Sequence, residues 1–271
     1  MFYVYPVVAS IYYSFTYYNI LESPRFLGLA NYISLVLEDD IFLIGLKNTL
    51  VIAIITGPVG YLLSFLFAWL INELPRAVRS VAVVVFYAPS IAGTCYTIFS
   101  VFFRGDAYGY VNSFLMDLGI IEQPILWFVN PQFMLPICMG VILWMSLGTG
   151  FLSVVAGLQG VDRSQYEAGM VDGVKNRWQE LWYITLPNMK PMLIFGAVMA
   201  ITQSFSQHDV CAALCGFPST DYAAHTIVSC LMDFGFQRFE MGYACAIATV
   251  LFLLMIMCNK AIQSLLRRVG T

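Results

Sequence analysis

GVDRSQYEAGMVDGVKNRWQELWYITLPNMKP, residues 160–191, is the longest charge-rich segment between long apolar runs, carrying Asp162, Arg163, Glu167, Asp172, Lys175, Arg177, Glu180 and Lys190. So many ionic groups between apolar stretches describe a water-exposed loop in a membrane protein. Asp162 is placed to cap a first helix, and Gln165, three residues on, completes a capping-box pattern. That helix is expected to run through Tyr166, Glu167, Ala168 and Met170 and to stop at Asp172-Gly173, where glycine supplies the turn. Asn176 with Gln179 repeats the cap for a second helix, on which Trp178, Leu181, Trp182 and Thr185 share a face at i, i+3, i+4, i+7 spacing. Pro187 and Pro191 mark where the chain turns into the next apolar run.

The composition around this loop calls for lipid as solvent. Of the 271 residues, 60% are hydrophobic and only 11% charged, against about 25% charged in soluble domains. The mean hydropathy of +0.78 agrees. The net charge of −3 comes with no basic tract, so nucleic acid is not an expected partner. Seven scattered cysteines without a C-x-x-C pair, and only two histidines, indicate neither a disulfide framework nor a zinc site.

Apolar runs at residues 49–71, 80–103, 133–158 and 241–259, with a shorter one at 191–207, contain no Asp, Glu, Lys or Arg. The first makes about 35 Å of helix at ~1.5 Å per residue and spans with some tilt. Gly57-Pro58 predicts a kink within it. Residues 2–18, FYVYPVVASIYYSFTYY, are barely long enough for a further span, and no Lys or Arg precedes them as a secretory signal would require. The expected fold is an all-α integral membrane protein of about six transmembrane helices with a cytoplasmic two-helix coupling loop, one transmembrane domain over residues 1–271. Residues 25–40 are expected to form an amphipathic surface helix with Phe26, Leu29, Tyr32 and Ile33 on one side.

The positive-inside rule orients this chain. Arg76, Arg79, Arg163, Lys175, Arg177, Lys190, Lys260, Arg267 and Arg268 fall on one side, and Arg25, Lys47, Arg104 and Arg238 on the other. Nine against four places the 160–191 loop and both termini in the cytoplasm, with 104–132 and 208–240 as long external loops.

Glu167-Ala168-Gly169, three residues, Gly173, and then Ile184-x-Leu186-Pro187 resemble the Glu-Ala-Ala loop of permease subunits in bacterial binding-protein-dependent ABC importers. Gly28-Leu29-x-Asn31-Tyr32 and Asn48-Thr49-Leu50 are similar to the carbohydrate branch, the maltose and glycerol-phosphate permeases. Two departures stand out: Gly169 replaces the third-position Ala, which loosens the helix by roughly 1 kcal/mol, and the Gly173 to Ile184 interval is one residue longer than usual. Permeases of this branch usually carry a cytoplasmic lead before the first span, which leaves open whether the native chain starts at Met1.

The resemblance implies a multi-pass subunit of the bacterial cell membrane. It implies that Glu167, Ala168, Gly169, Asp172 and Gly173 couple to an ATPase subunit dimer. A second homologous permease subunit and an extracytoplasmic solute-binding protein would complete the importer. No G-x-x-x-x-G-K-[ST] loop occurs, so ATP and Mg belong on the ATPase partner, and no cofactor or catalytic role is expected of this chain.

Polar groups inside spans point to a solute path. Gln203 and Gln207 lie at i, i+4 with Ser204 adjacent, and Trp144, Ser146 and Thr149 of the preceding span add an aromatic and two hydroxyls. Amides and hydroxyls beside an aromatic suit a sugar, and the resemblance places the transported sugar against these two spans. The bland alternative is interhelical hydrogen bonding. His208-Asp209 and His225 with Asp221 lack a third ligand at metal spacing and read as loop residues. An ion-coupled transporter or channel would carry ionisable groups within its spans, and the five clear runs have none. A membrane enzyme would need paired carboxylates or a His-rich site, which the sequence does not offer.

Overall fold

The computed structural model describes residues 4–267, and Phe2 and Tyr3 of the first apolar run and Arg268 of the charge count lie outside them. In chain order the elements are α1 (Val4–Tyr13), β1 (Thr16–Tyr17), β2 (Arg25–Phe26), α2 (Ala30–Leu37), α3 (Asp40–Asn72), α4 (Arg76–Ile91) and α5 (Ile98–Phe102). There follow α6 (Tyr110–Asp117), α7 (Pro131–Trp144), α8 (Thr149–Gly160), α9 (Arg163–Val171), α10 (Arg177–Glu180), a π-helical turn (Leu181–Thr185) and α11 (Leu186–Asn188). The chain closes with α12 (Lys190–Ser204), α13 (His208–Cys215), α14 (Ile227–Met232) and α15 (Met241–Arg267).

Among the described residues, three helical segments are long and apolar enough to cross a membrane: Asp40–Asn72, Pro131–Gly160 and Met241–Ser264. Counting two bent helix pairs, Arg76–Ile91 with Cys95–Phe102 and Arg177–Asn188 with Lys190–Cys215, gives up to five. The run expected to span first is the ten-residue α1, about 15 Å at ~1.5 Å per residue. It stops because Asn31 Nδ2 donates to the carbonyls of Ser14 (2.8 Å) and Thr16 (3.0 Å), which fixes a tight hairpin in which Thr16 pairs with Phe26 and Tyr17 with Arg25. Tyr32 Oη meets Ser14 Oγ at 2.7 Å, so the Asn-Tyr pair of the Gly-Leu-x-Asn-Tyr motif fastens this hairpin. The amphipathic helix is shorter than expected. Gly28 takes φ +63°, α2 begins only at Ala30, and its buried residues are Asn31 and Leu35 rather than the Phe26, Leu29 and Ile33 side, which is exposed.

The chain forms two compact units, and α3, the α7–α8 segment and α15 contribute to both. The first comprises residues up to Ile52, Tyr96–Val141 and Phe205–Ile256. Its core gathers Leu35, Phe42, Ile227, Cys230, Ala246 and Ile247. Asn48 Nδ2 donates to the carbonyls of Tyr222, Ala223 and His225, and Thr49 Oγ1 accepts the Ile227 amide at 2.9 Å. The Asn-Thr-Leu motif therefore holds the start of α14. In the loop around α6, the fully buried Asn112 donates to the carbonyls of Arg104, Asp106 and Ile125 and accepts from the Ile125 amide and Trp127 Nε1.

The second unit comprises Ala53–Cys95, Ile142–Ser204 and the chain from Met257. Its core contains Ala68, Ile71, Leu147, Phe151, Val154, Leu158, Met189 and Leu193. Here α8 and α12 pack backbone to backbone. A Cβ on Gly150 would stand 3.1 Å from the Gly196 carbonyl oxygen, and Ser153 Oγ donates to the Met192 carbonyl at 2.9 Å. Tyr61 Oη of α3 donates to the Leu193 carbonyl at 3.1 Å.

Candidate functional site

The 160–191 loop folds as two short helices joined by a glycine turn. Asp162 accepts the Ser164 amide at 3.1 Å, a bond that holds its carboxyl below the usual carboxylate range. Gln165 does not complete a capping box, because its side chain bonds Asn188 instead. At the other end of α9, Gly173 takes φ +95° while its amide reaches the Met170 carbonyl and the Val174 amide reaches that of Gly169. This paired closure is the Schellman stop. Gln179 Oε1 accepts the amides of Lys175 (2.9 Å) and Asn176 (3.3 Å), starting α10.

Of the five motif positions, Glu167, Ala168, Asp172 and Gly173 are exposed and Gly169 is buried. The Glu167 side chain is 65% exposed, with Arg163 at 3.7 Å. Met170 and Val171 beside it are exposed apolar groups. Gly169 has a steric reason: a Cβ there would fall 2.4 Å from Ile184 Cδ1. The cost of glycine in a helix is offset by closer packing of α9 on the second arm.

The second arm departs from the expected stripe. Leu181, Ile184 and Thr185 are buried while Trp178 and Trp182 are exposed. The cause is the π-helical turn, in which the Leu186 amide reaches the Leu181 carbonyl five residues back. A π turn is wider than an α turn, so the residues of the turn leave the face drawn at α spacing.

Hydrogen bonds and ion pairs tie the loop down. Tyr166 Oη meets Thr185 Oγ1 at 2.9 Å, and Asn188 Nδ2 donates to the Ile184 carbonyl at 2.7 Å. Arg177 reaches Glu180 at 3.0 Å and Glu73, just past α3, at 3.3 Å, and both carboxylates reinforce its charged form. Trp178 packs on Trp69 of α3 with ring centroids 5.1 Å apart. Sequence reasoning missed Glu73 and Trp69, since their partners lie about a hundred residues away and no local pattern announces the pairing. At Met189 the chain bends by 81° into α12.

At the other end of α8 and α12 lie the polar candidates. α7 ends at Trp144 and α8 begins at Thr149, leaving a break at Met145–Gly148. Trp144 is 43% exposed. Gln203, also exposed, brings Nε2 to 3.4 Å from Thr149 Oγ1 and its amide oxygen near Gly148. The two serines are turned inward: Ser146 Oγ donates to the Leu143 carbonyl and Ser204 Oγ to that of Ile201, each at 2.7 Å. Their backs pack on Gly60 and Gly57 of α3. Gln207 does not share a helical face with Gln203, because α12 stops at Ser204 and Gln207 stands at the N-cap of α13.

The histidines occupy structural positions. His208 Nδ1 lies 2.8 Å from Ser229 Oγ, and the His225 ring stacks on Phe217. Among the described residues no group of three or more His, Cys, Asp or Glu is arranged to hold a metal ion.

Residues 49–269 match the family model described as binding-protein-dependent transport system inner membrane component. The chain is 31% identical over 267 residues to the sulfoquinovosyl glycerol transport system permease protein SmoG of Agrobacterium fabrum, covering 96% of this chain and 83% of SmoG. It is 29% identical to the probable ABC transporter permease protein YesP of Bacillus subtilis, covering 93% and 81%. Among solved structures, a chain of the bacterial alginate ABC transporter, in complex with an alginate pentasaccharide-bound periplasmic protein, superposes with TM-score 0.79 at 21% identity, covering 99% of this chain and 90% of that one. That likeness shows the same fold.

Proposed function

Because the chain belongs to the family of binding-protein-dependent transport system inner membrane components, we propose that it forms half of the membrane path of an ATP-driven importer for a sugar or related polyhydroxylated solute. The other half is a second homologous permease subunit, an ATPase dimer binds ATP and Mg on the cytoplasmic side, and an extracytoplasmic solute-binding protein delivers the cargo. The observation that carries this reading is the braced loop with its exposed tip. Glu167, Met170 and Val171 face outward on a short helix whose base is fixed by Tyr166, Ile184 and the Schellman turn. A charged and apolar tip on a rigid base suits docking into a cleft of a partner. Movement of that partner then passes through Thr185 and Met189 into α12, and through its packing into α8.

The solute class rests on exposed Trp144 and Gln203 with half-buried Thr149, which offer a ring, an amide and a hydroxyl to a neutral polyol, and on the similarity to SmoG. Ser146 and Ser204 give their hydroxyls to backbone carbonyls three residues back, and Gln207 stands at the start of α13 rather than on the face of Gln203. The loop and both termini lie in the cytoplasm in this reading.

The test is Gly173→Val, which forces a β-branched residue into φ +95°. The complex still assembles with its ATPase, and solute-stimulated ATP hydrolysis falls at least about tenfold, a barrier change of ~1.4 kcal/mol. Unchanged stimulation removes the turn from the coupling mechanism.

A further inference from the structure

A cavity of about 900 Å³ in the first unit is formed by α2, the start of α3 and the chain from Phe217 to Tyr243. Its wall carries five carboxylates, Glu38, Asp39, Asp40, Asp233 and Glu240, against one guanidinium, that of Arg238. Two of the five are committed within the fold. Asp39 accepts the Phe42 amide (2.9 Å) and the Tyr243 hydroxyl (3.1 Å), and Asp233 holds Arg238 at 2.6 Å. Glu38 accepts from the Ser34 hydroxyl, while Asp40 and Glu240 meet no cation among the described residues. The cavity therefore carries uncompensated negative charge.

A second observation concerns His225. It is only 4% exposed and lines the cavity. Its ring stacks on Phe217 and meets Tyr222 edge-on, yet among the described residues neither ring nitrogen has a hydrogen-bond partner. Burial keeps it neutral at pH 7, so one ring nitrogen accepts and the other donates. A hydroxyl, which does both, matches either.

The carboxylates do not converge as metal ligands do. They are spread around a cavity that also presents Phe234 and Tyr243. Arg238 shows the cation chemistry this wall accepts, with its guanidinium 4.4 Å above the Phe234 centroid and its charge on Asp233. We propose that the cavity binds a small solute bearing a primary ammonium on a polyhydroxylated body, the ammonium balanced by Asp40 and Glu240 and a hydroxyl hydrogen-bonded to His225. An anionic solute is repelled by the same charges. That the cavity opens on the extracytoplasmic side rests on the topology proposed above, whereas its ligand chemistry does not.

The probe is glucosamine, titrated into the purified importer complex in phosphate buffer, with N-acetylglucosamine and glucuronate as neutral and anionic counterparts. Glucosamine binds at least tenfold more tightly than either. Asp40→Asn and Glu240→Gln each weaken it roughly fivefold, as expected for one charge at a solvated site, and added salt weakens it further. Gln203→Ala leaves it unchanged. Equal binding of glucosamine and N-acetylglucosamine, or indifference to both carboxylate variants, overturns the proposal. Labelling of Asp40→Cys by a membrane-impermeant reagent is a separate arm: reaction from the cytoplasm alone overturns the topology and leaves the binding result standing.

Discussion

Gly169 and Ile184 meet where α9 packs on the second arm of the loop. A Cβ at 169 would lie 2.4 Å from Ile184 Cδ1, so Gly169→Ala is expected to destabilise the loop even though alanine favours helix. Ile184→Val removes that terminal methyl, and the double variant recovers about 1 kcal/mol relative to the sum of the singles, as contacting residues do. Thermal melts of the four proteins measure the coupling. At the polar site the residues divide by where their hydrogen bonds go. Gln203→Ala is expected to lower uptake while the melting temperature holds, because its amide faces outward at the Thr149 hydroxyl. Ser204→Ala, whose hydroxyl is turned onto its own helix, is expected to leave uptake intact. Were Gln203 interhelical glue, its loss would cost roughly 0.6 kcal/mol of stability instead, and uptake measured beside the melt tells the two apart.

Among the elements, the π turn at Leu181–Thr185 departs from the α geometry of the arms around it. Deleting the exposed Tyr183 is expected to convert that turn to α geometry with assembly and stimulation retained. Deleting a residue from α9 breaks the Schellman closure and abolishes both, and co-purified ATPase with its stimulated rate reports the difference. The loop's composition, its glycine turn and the Asn176–Gln179 cap were legible in the sequence, because each is a local signal between near neighbours. The π turn was not, since seven-residue periodicity assumes α geometry throughout. The short reach of local pattern also explains why Asn31 ending α1, and Asn48 holding the start of α14, were visible as motif residues but not as ties. Trp144, Thr149 and Gln203 were candidates from polar and aromatic character within the spans together with the resemblance to maltose-type permeases. Which neighbours faced inward depended on the ends of α7 and α12, and helix ends are where sequence is least informative.

For the molecule as a whole, sidedness rests on the nine-to-four distribution of Lys and Arg. Single cysteines at positions 175 and 117 are expected to react from the cytoplasm and from outside respectively; the reverse labelling inverts the topology. Stability is also expected to depend on pH through His225, which burial pushes down to about 4 from the ~6.5 of an unfolded histidine. The unfolded chain takes up that proton first, so this contribution is complete above pH ~6.5 and is lost as pH falls toward 4. Melting profiles of the native protein and His225→Gln should converge in slope in acid only if another group governs the decline. Lastly, where Gly150 meets Gly196 no side chain stands between α8 and α12 to act as a cushion. Two backbones in direct contact cannot be squeezed closer and have no rotamers to yield, so a push at the loop end travels along the pair as along a stiff rod. Bulk inserted at that seam would act as a shock absorber, and in the proposed importer each stroke of the ATPase partner would be lost before it reached the path.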